Sequence, residues 1–194
     1  MPFFKSLVPD AGPPTVYMKY PVAYRAWSEM SEAIMNGPSP LSQGERELIF
    51  AYAAGVAGCS NICIAHAEVA YAWGIEHGLV EKLLEDFESA PVSDQLRPLL
   101  AFAAKLSVTP GEMAQADADQ VFDAGWDEQA LHDVIATVGR AAFMQRLVQG
   151  FGFVPLSREV AAEHAQRRVR LGYVNLYPAF REPDAGAGDD KTGT

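Results

Sequence analysis

Cys59, Cys63 and His66 stand at positions i, i+4 and i+7 of the stretch Cys59-Ser60-Asn61-Ile62-Cys63-Ile64-Ala65-His66. At about 100° per residue, that spacing places them within roughly 60° of one another on a helix face. The chain has two cysteines, and both lie in this window. Gly55 and Gly58 precede it and break the chain, so Cys59 falls in a first helical turn. There the helix dipole and unpaired N–H groups favour a thiolate and lower its pKa. An imidazole one to two turns on can take a proton from such a thiol or give one to it. Glu47 lies in the preceding apolar segment, and a carboxylate facing a core needs a partner. It is a candidate to orient His66, or to reach Cys59 through water. Thiolate, imidazole and carboxylate together make a redox or acid–base centre. A metal centre on Cys59, Cys63 and His66 lacks an evident fourth ligand, so neither metal nor cofactor is expected. The plainer alternatives are two small buried thiols, a hydrogen-bonded core histidine, and a carboxylate that is structural or simply on the surface beside Glu45 and Arg46.

Helices must position these groups. Ser42 is a good N-cap, and Glu45 three residues on completes a capping box, so a helix carrying Glu47 runs from there to about Ala54. The next runs from Cys59 or Ser60 to Trp73. Around this pair the spacing predicts further helices over 21–35, 79–87, 93–107, 110–122, 128–149 and 157–171. Asn36-Gly37-Pro38-Ser39-Pro40 and Gly125-Trp126-Asp127 are the clearest stops. In the 128–149 helix Leu131, Val134, Ile135, Val138, Ala142 and Leu147 are the expected buried positions. The arginines at 167, 168 and 170 suit a helix C-terminus. No segment alternates like a strand, so an all-α fold of seven or eight helices is expected. Three parts follow: an N-terminal arm over 1–20, rich in proline, a helical domain over 21–171, and an extended tail over 172–194.

Composition narrows the function. A net charge of −10 repels phosphate backbones and anionic membrane surfaces, so neither nucleic acid nor membrane is an expected partner. Residues 48–65 carry no charge, but Gly55, Gly58, Ser60 and Asn61 interrupt them, which reads as two buried helices and not a span. The N-terminus lacks the basic and apolar regions of a signal peptide, which places the chain in the cytoplasm with its thiols reduced. His77, His132 and His164 have no partners at useful spacing. No Gly-rich phosphate loop or nucleophile elbow is present.

The stretch 41–49 (Leu-Ser-Gln-Gly-Glu-Arg-Glu-Leu-Ile), followed by Gly58-Cys59 and Ala65-His66, resembles the alkylhydroperoxidase D / carboxymuconolactone decarboxylase family. Within it the chain is most similar to the peroxidase-related branch. That family's motif is a glutamate and, twelve residues on, Cys-x-x-Cys-x-x-x-His; Glu47, Cys59 and His66 match its spacing. Residues 143–152, Phe-Met-Gln-Arg-Leu-Val-Gln-Gly-Phe-Gly, resemble the branch's Phe-x-Asn-Arg-Leu-x-x-Gly-x-Gly, with Gln145 in place of the asparagine. The resemblance covers about residues 15–160. Ile62 occupies the place of the family's second cysteine, and Cys63 comes one residue late.

The resemblance implies an alkylhydroperoxidase-like helical fold that assembles as a homo-oligomer (dimer, trimer or hexamer). It also implies a peroxidase of the peroxiredoxin type, with a peroxide as substrate and an external thiol or protein as reductant. Cys59, Cys63, His66 and Glu47 are then the catalytic residues, with Cys63 standing in for the missing thiol. Two alternatives remain. One is a non-redox acid–base enzyme, like the family's decarboxylases, using His66 and Glu47 on a small acidic or lactone substrate. The other is a family fold with a decayed site serving as a structural or binding oligomer. The terminal arms, with Tyr173, Tyr177 and Phe180, are expected to wrap a neighbour.

Overall fold

A computed structural model of the protein describes residues 1–180. Among them are nine α-helices and no strands: α1 Pro13–Lys19, α2 Pro21–Asn36, α3 Gln43–Val56, α4 Ser60–Ala72, α5 Leu79–Glu85, α6 Leu96–Val108, α7 Gln115–Asp123, α8 Glu128–Phe151 and α9 Arg158–Leu171. Single 3-10 turns lie at Pro110–Glu112 and Pro178–Phe180. The all-α expectation holds. The helix beyond the expected set is α1, inside the segment read as an irregular arm. Pro13 and Pro14 start it because the first helical turn needs no N–H, and it buries Val16 and Tyr17.

Helix α3 is the centre of the molecule, packed by α4, α6 and α8, while α9 lies along α4. Its residues Glu47 to Ala54 are buried without interruption, so it is enclosed on all sides. The capping box forms: Ser42 Oγ accepts from the Glu45 N–H at 3.2 Å, and the Ser42 N–H donates to Glu45 Oε2 at 2.8 Å. Arg46, also buried, donates to the carbonyls of Ile34 and Gly37 and so caps the C-terminus of α2.

A tight reversal joins α3 to α4. Gly58 has φ of 75°, its N–H bonds to Gly55 O at 2.9 Å, and the Cys59 N–H bonds to Ala54 O at 2.9 Å. These two bonds form a Schellman motif, whose left-handed position favours glycine. Gln145 of α8 donates its side-chain amide to Ala57 O at 2.8 Å and holds the turn from outside.

On α8 the buried face carries Asp133, Thr137, Arg140, Met144 and Leu147 beside Val134, Val138, Ala141 and Val148. Ile135, expected inside, is 46% exposed because it falls on the opposite face. Residues 172–180 are also not an extended tail. Tyr173, Tyr177 and Phe180 are buried in their own chain. Their aromatic surface is used within the protomer and is not free to wrap a neighbour. The rest of the expected tail, 181–194, lies outside the described residues. No helix among the described residues is long and apolar enough to cross a membrane.

Candidate functional site

The capping box sets the start of α3 and therefore which residue of its second turn faces α4. That residue is Glu47, 1% exposed. Across the Schellman turn, His66 projects from the second turn of α4 and is 2% exposed. Its Nδ1 lies 2.6 Å from Glu47 Oε2. The other carboxylate oxygen accepts a hydrogen bond from the Tyr173 hydroxyl at 2.5 Å. On the far side of the imidazole, Arg168 Nη1 of α9 lies 3.2 Å from Nε2. A guanidinium only donates, so Nε2 is the acceptor and Nδ1 carries the proton that it donates to Glu47. The bonding pattern thus fixes the tautomer: a neutral imidazole whose Nε2 lone pair faces Arg168.

The ionisation states agree with this pattern. Burial pushes the His66 pKa down to about 4, and Arg168 and Arg140 add to that against the opposing pull of Glu47. For Glu47, burial acts to raise the pKa, but His66, Arg168 and Arg140 outweigh it and hold the carboxyl below its ordinary range. At neutral pH the pair is therefore a carboxylate and a neutral imidazole.

His66 stands in the wall of a cavity of about 650 Å³, with Glu47 behind it. His66, Ile62, Arg140, Arg168 and Tyr173 all line it, together with the aromatic and apolar side chains of Tyr17, Trp27, Met144 and Tyr177. The Arg140 guanidinium lies 4.6 Å from the Phe50 ring centre and 4.3 Å from that of Tyr173. Phe50 in turn lies against His66, with ring centres 3.9 Å apart and the planes tilted by 36°. His164, read as an isolated surface histidine, lies at the cavity's exposed edge. Among the described residues, no group of three or more His, Cys, Asp or Glu side chains is arranged to hold a metal ion.

The cysteines are placed differently from the sequence expectation. Neither lines the cavity. Ile62 takes the cavity position one turn before His66, and Cys63 is turned away by about 100°, as one residue of helix requires. It faces the α3–α5 seam, where a Cβ built on Gly55 would lie 3.1 Å from its Sγ and 2.8 Å from Leu84 Cδ1. Cys59 is the N-cap of α4, with φ of −103° and ψ of 79°, so it stands outside the regular helical spacing that put three side chains on one face. Both thiols are buried and free. The expected lowering of the Cys59 pKa is reversed. Burial raises it, and the N–H groups of Ile62 and Asn61 only partly offset that. Burial and the nearby Glu81 carboxylate push Cys63 up to about 11, with Arg158 opposing. Sequence reasoning thus joined Glu47 to His66 correctly and added two thiols that belong to a separate buried layer. It missed Arg140, Arg168 and Tyr173. A cue existed for Arg140, a charge on the Thr137–Met144 stripe of α8. Arg168 was submerged in a basic helix end, and Tyr173 in a segment read as tail.

The arrangement defines a helical protein with a buried His–Glu pair opening on an apolar, arginine-bearing cavity, and its fold is that of the alkylhydroperoxidase D core. Three solved structures share it. A peroxidase-related protein from Ralstonia eutropha, described as an alkylhydroperoxidase D core, matches with a TM-score of 0.68 at 20% identity, over 73% of this chain and 75% of that one. A peroxidase-related protein from Silicibacter sp. matches with a TM-score of 0.67 at 22% identity, over 80% and 96% of the two chains. An Agrobacterium tumefaciens protein of unknown function gives 0.64 at 16% identity, over 73% and 96%. No family model matches the sequence, and no curated protein does.

Proposed function

We propose that this chain is a non-redox acid–base enzyme acting on a small organic acid or lactone, with His66 as the base and Glu47 as the residue that positions it. The observation that carries this reading is the content of the cavity wall. His66 lies in it beside Ile62, while both thiols lie outside it with raised pKa values. When substrate enters, the Arg168 guanidinium exchanges its bond to His66 Nε2 for one to the substrate carbonyl, and the freed Nε2 removes a proton from the carbon next to that carbonyl. The electron pair moves onto the carbonyl oxygen, and the Arg168 guanidinium donates a hydrogen bond to that oxygen. The protonated imidazole returns the proton, and Glu47 holds the ring's tautomer and steadies its positive charge throughout. An anionic substrate beside the ring raises the pKa of His66 from its low resting value toward the working range of a base.

The test is proton NMR in D₂O of the protein incubated with small oxo acids and lactones. The expected result is deuteration or decarboxylation that survives in the Cys59→Ser/Cys63→Ser double variant and is lost in His66→Gln. Turnover of peroxide by wild type, abolished in the double variant, would overturn it.

That overturning result belongs to the second reading, a thiol peroxidase. Its support is the description of two fold neighbours as peroxidase-related, together with two cysteines at the start of α4. In that chemistry a thiolate attacks the peroxide and becomes a sulfenic acid as the alcohol leaves. The second thiol then displaces water to form a disulfide, which an external thiol reduces. Assembly as a homo-oligomer is proposed on either reading, and light scattering giving the monomer mass would remove it.

A further inference from the structure

We propose that Arg140 is the anchor for the carboxylate of the ligand, which fits the cavity as a carboxylic acid with an aromatic or apolar body. Arg140 is 4% exposed and lines the cavity. Its Nε and Nη1 have no hydrogen-bond partner among the described residues. Buried guanidinium N–H groups without acceptors are costly, and the acceptor that offsets that cost best is an anionic one such as a carboxylate. The other buried arginine of the core, Arg46, also has an unpartnered Nε, but its Nη1 donates to two backbone carbonyls, whereas both orphaned nitrogens of Arg140 sit beside the cavity.

Charge supports the same conclusion. Glu47 is the buried carboxylate of this cluster, and it is already bonded on one oxygen to His66 and on the other to Tyr173. Arg140 and Arg168 together carry two positive charges against its single negative one, with His66 neutral. This buried cluster therefore has one uncompensated positive charge inside a protein whose net charge is −10, and the exposed Asp10 and Arg167 at the cavity rim offset each other. A monoanionic ligand neutralises it.

The shape selects the rest of the ligand. Trp27, Tyr173 and Phe50 pack around the guanidinium, which leaves its N–H groups as the polar feature of this part of the wall. Tyr17, Met144, Ile62 and Tyr177 supply flat and apolar surface around it. A volume of about 650 Å³ is within the ordinary range for an organic molecule with a ring. Neutral molecules of the same shape leave the Arg140 edge unmet, and strongly hydrated dianions do not suit the aromatic wall.

This inference deepens the acid–base reading of the same cavity and rests on it for the role of ligand as substrate, but binding is measured without turnover, so the two fail separately. The experiment is titration calorimetry of the intact protein with benzoate and with benzamide, its neutral counterpart. Benzoate is expected to bind at least ten-fold more tightly than benzamide. Arg140→Gln should reduce benzoate to the level of benzamide, and Arg140→Lys, which keeps the charge but loses the fork, should lose most of the preference. Equal affinities in wild type, or no binding of either, would overturn the proposal, as would unchanged benzoate affinity in Arg140→Gln. Should the arginine variants fail to fold, wild-type crystals soaked with 4-bromobenzoate decide it: the carboxylate lies on the Arg140 edge, or the proposal is wrong. Benzoate binding without any turnover of acids would leave the anchor standing and remove the acid–base function.

Discussion

Glu47→Gln is close to isosteric, so its effect reports charge and hydrogen bonding and not a cavity. In the native protein the two carboxylate oxygens receive two donors, His66 Nδ1–H at 2.6 Å and the Tyr173 hydroxyl at 2.5 Å. An amide offers one acceptor and one donor. If its oxygen stays on Tyr173, its NH₂ meets His66 and forces the proton onto Nε2, which then faces the Arg168 donor. If it flips, the NH₂ faces the Tyr173 hydroxyl, which must rotate away from its present bond. Either way one link of the chain from Arg168 through His66 and residue 47 to Tyr173 is broken or reversed. The substitution also strips Arg140 and Arg168 of their buried counter-charge. Removing one partner of a buried charged set costs about 3–5 kcal/mol. For a chain of this size, a loss of 1 kcal/mol shifts Tm by about 2–4 °C, so the expected fall is roughly 6–20 °C. The assay is urea denaturation followed by tryptophan fluorescence, with a lowered midpoint and an unchanged slope marking a loss of stability and not of cooperativity. A loss below about 1 kcal/mol would refute the assignment of Glu47 as the counter-ion of the cluster, because only a solvated carboxylate is so cheaply neutralised.

The low His66 pKa makes stability depend on pH. The unfolded histidine titrates near 6.5 and the folded one near 4, so between these values the unfolded chain binds the extra proton and stability falls as pH drops, by at most about 1.4 kcal/mol per unit. Urea midpoints measured from pH 7 to pH 4 should show that fall, and His66→Gln should flatten it. The thiols should be slow. With Cys63 near 11, native alkylation by iodoacetamide at pH 7.5 should be at least about 100-fold slower than in urea, read by mass spectrometry. Rapid native labelling would contradict the buried layer. Ile62→Cys restores the Cys-x-x-Cys spacing and puts a sulfur in the cavity wall beside His66 and Arg168. Peroxide consumption with a thiol reductant should appear in this variant and exceed that of wild type; no gain would mean that the cavity position alone does not activate a thiol.

The sequence by itself determined the helices and one half of the site. Ser42 and Glu45 announced the start of α3, the glycines at 55 and 58 announced its end, and the Glu47-to-His66 spacing was enough to pair the two side chains. Local physics suffices there, because capping and helical period act within a few residues and two consecutive helices joined by a short turn must pack together. The resemblance on those same residues led to the right fold. Local physics failed where distance along the chain was long. Whether Cys63 or Ile62 faces the cavity depends on where α5, α8 and α9 lie around α4, and the i, i+4, i+7 rule cannot see that a residue at the N-cap has left the helix. Arg140, Arg168 and Tyr173 reach Glu47 and His66 from 74 to 126 residues away. Periodicity carries no information on which buried charge will find which partner. Tertiary packing decided that pairing. It placed more positive than negative charge beside one cavity, and the proposed carboxylate anchor at Arg140 rests on that imbalance.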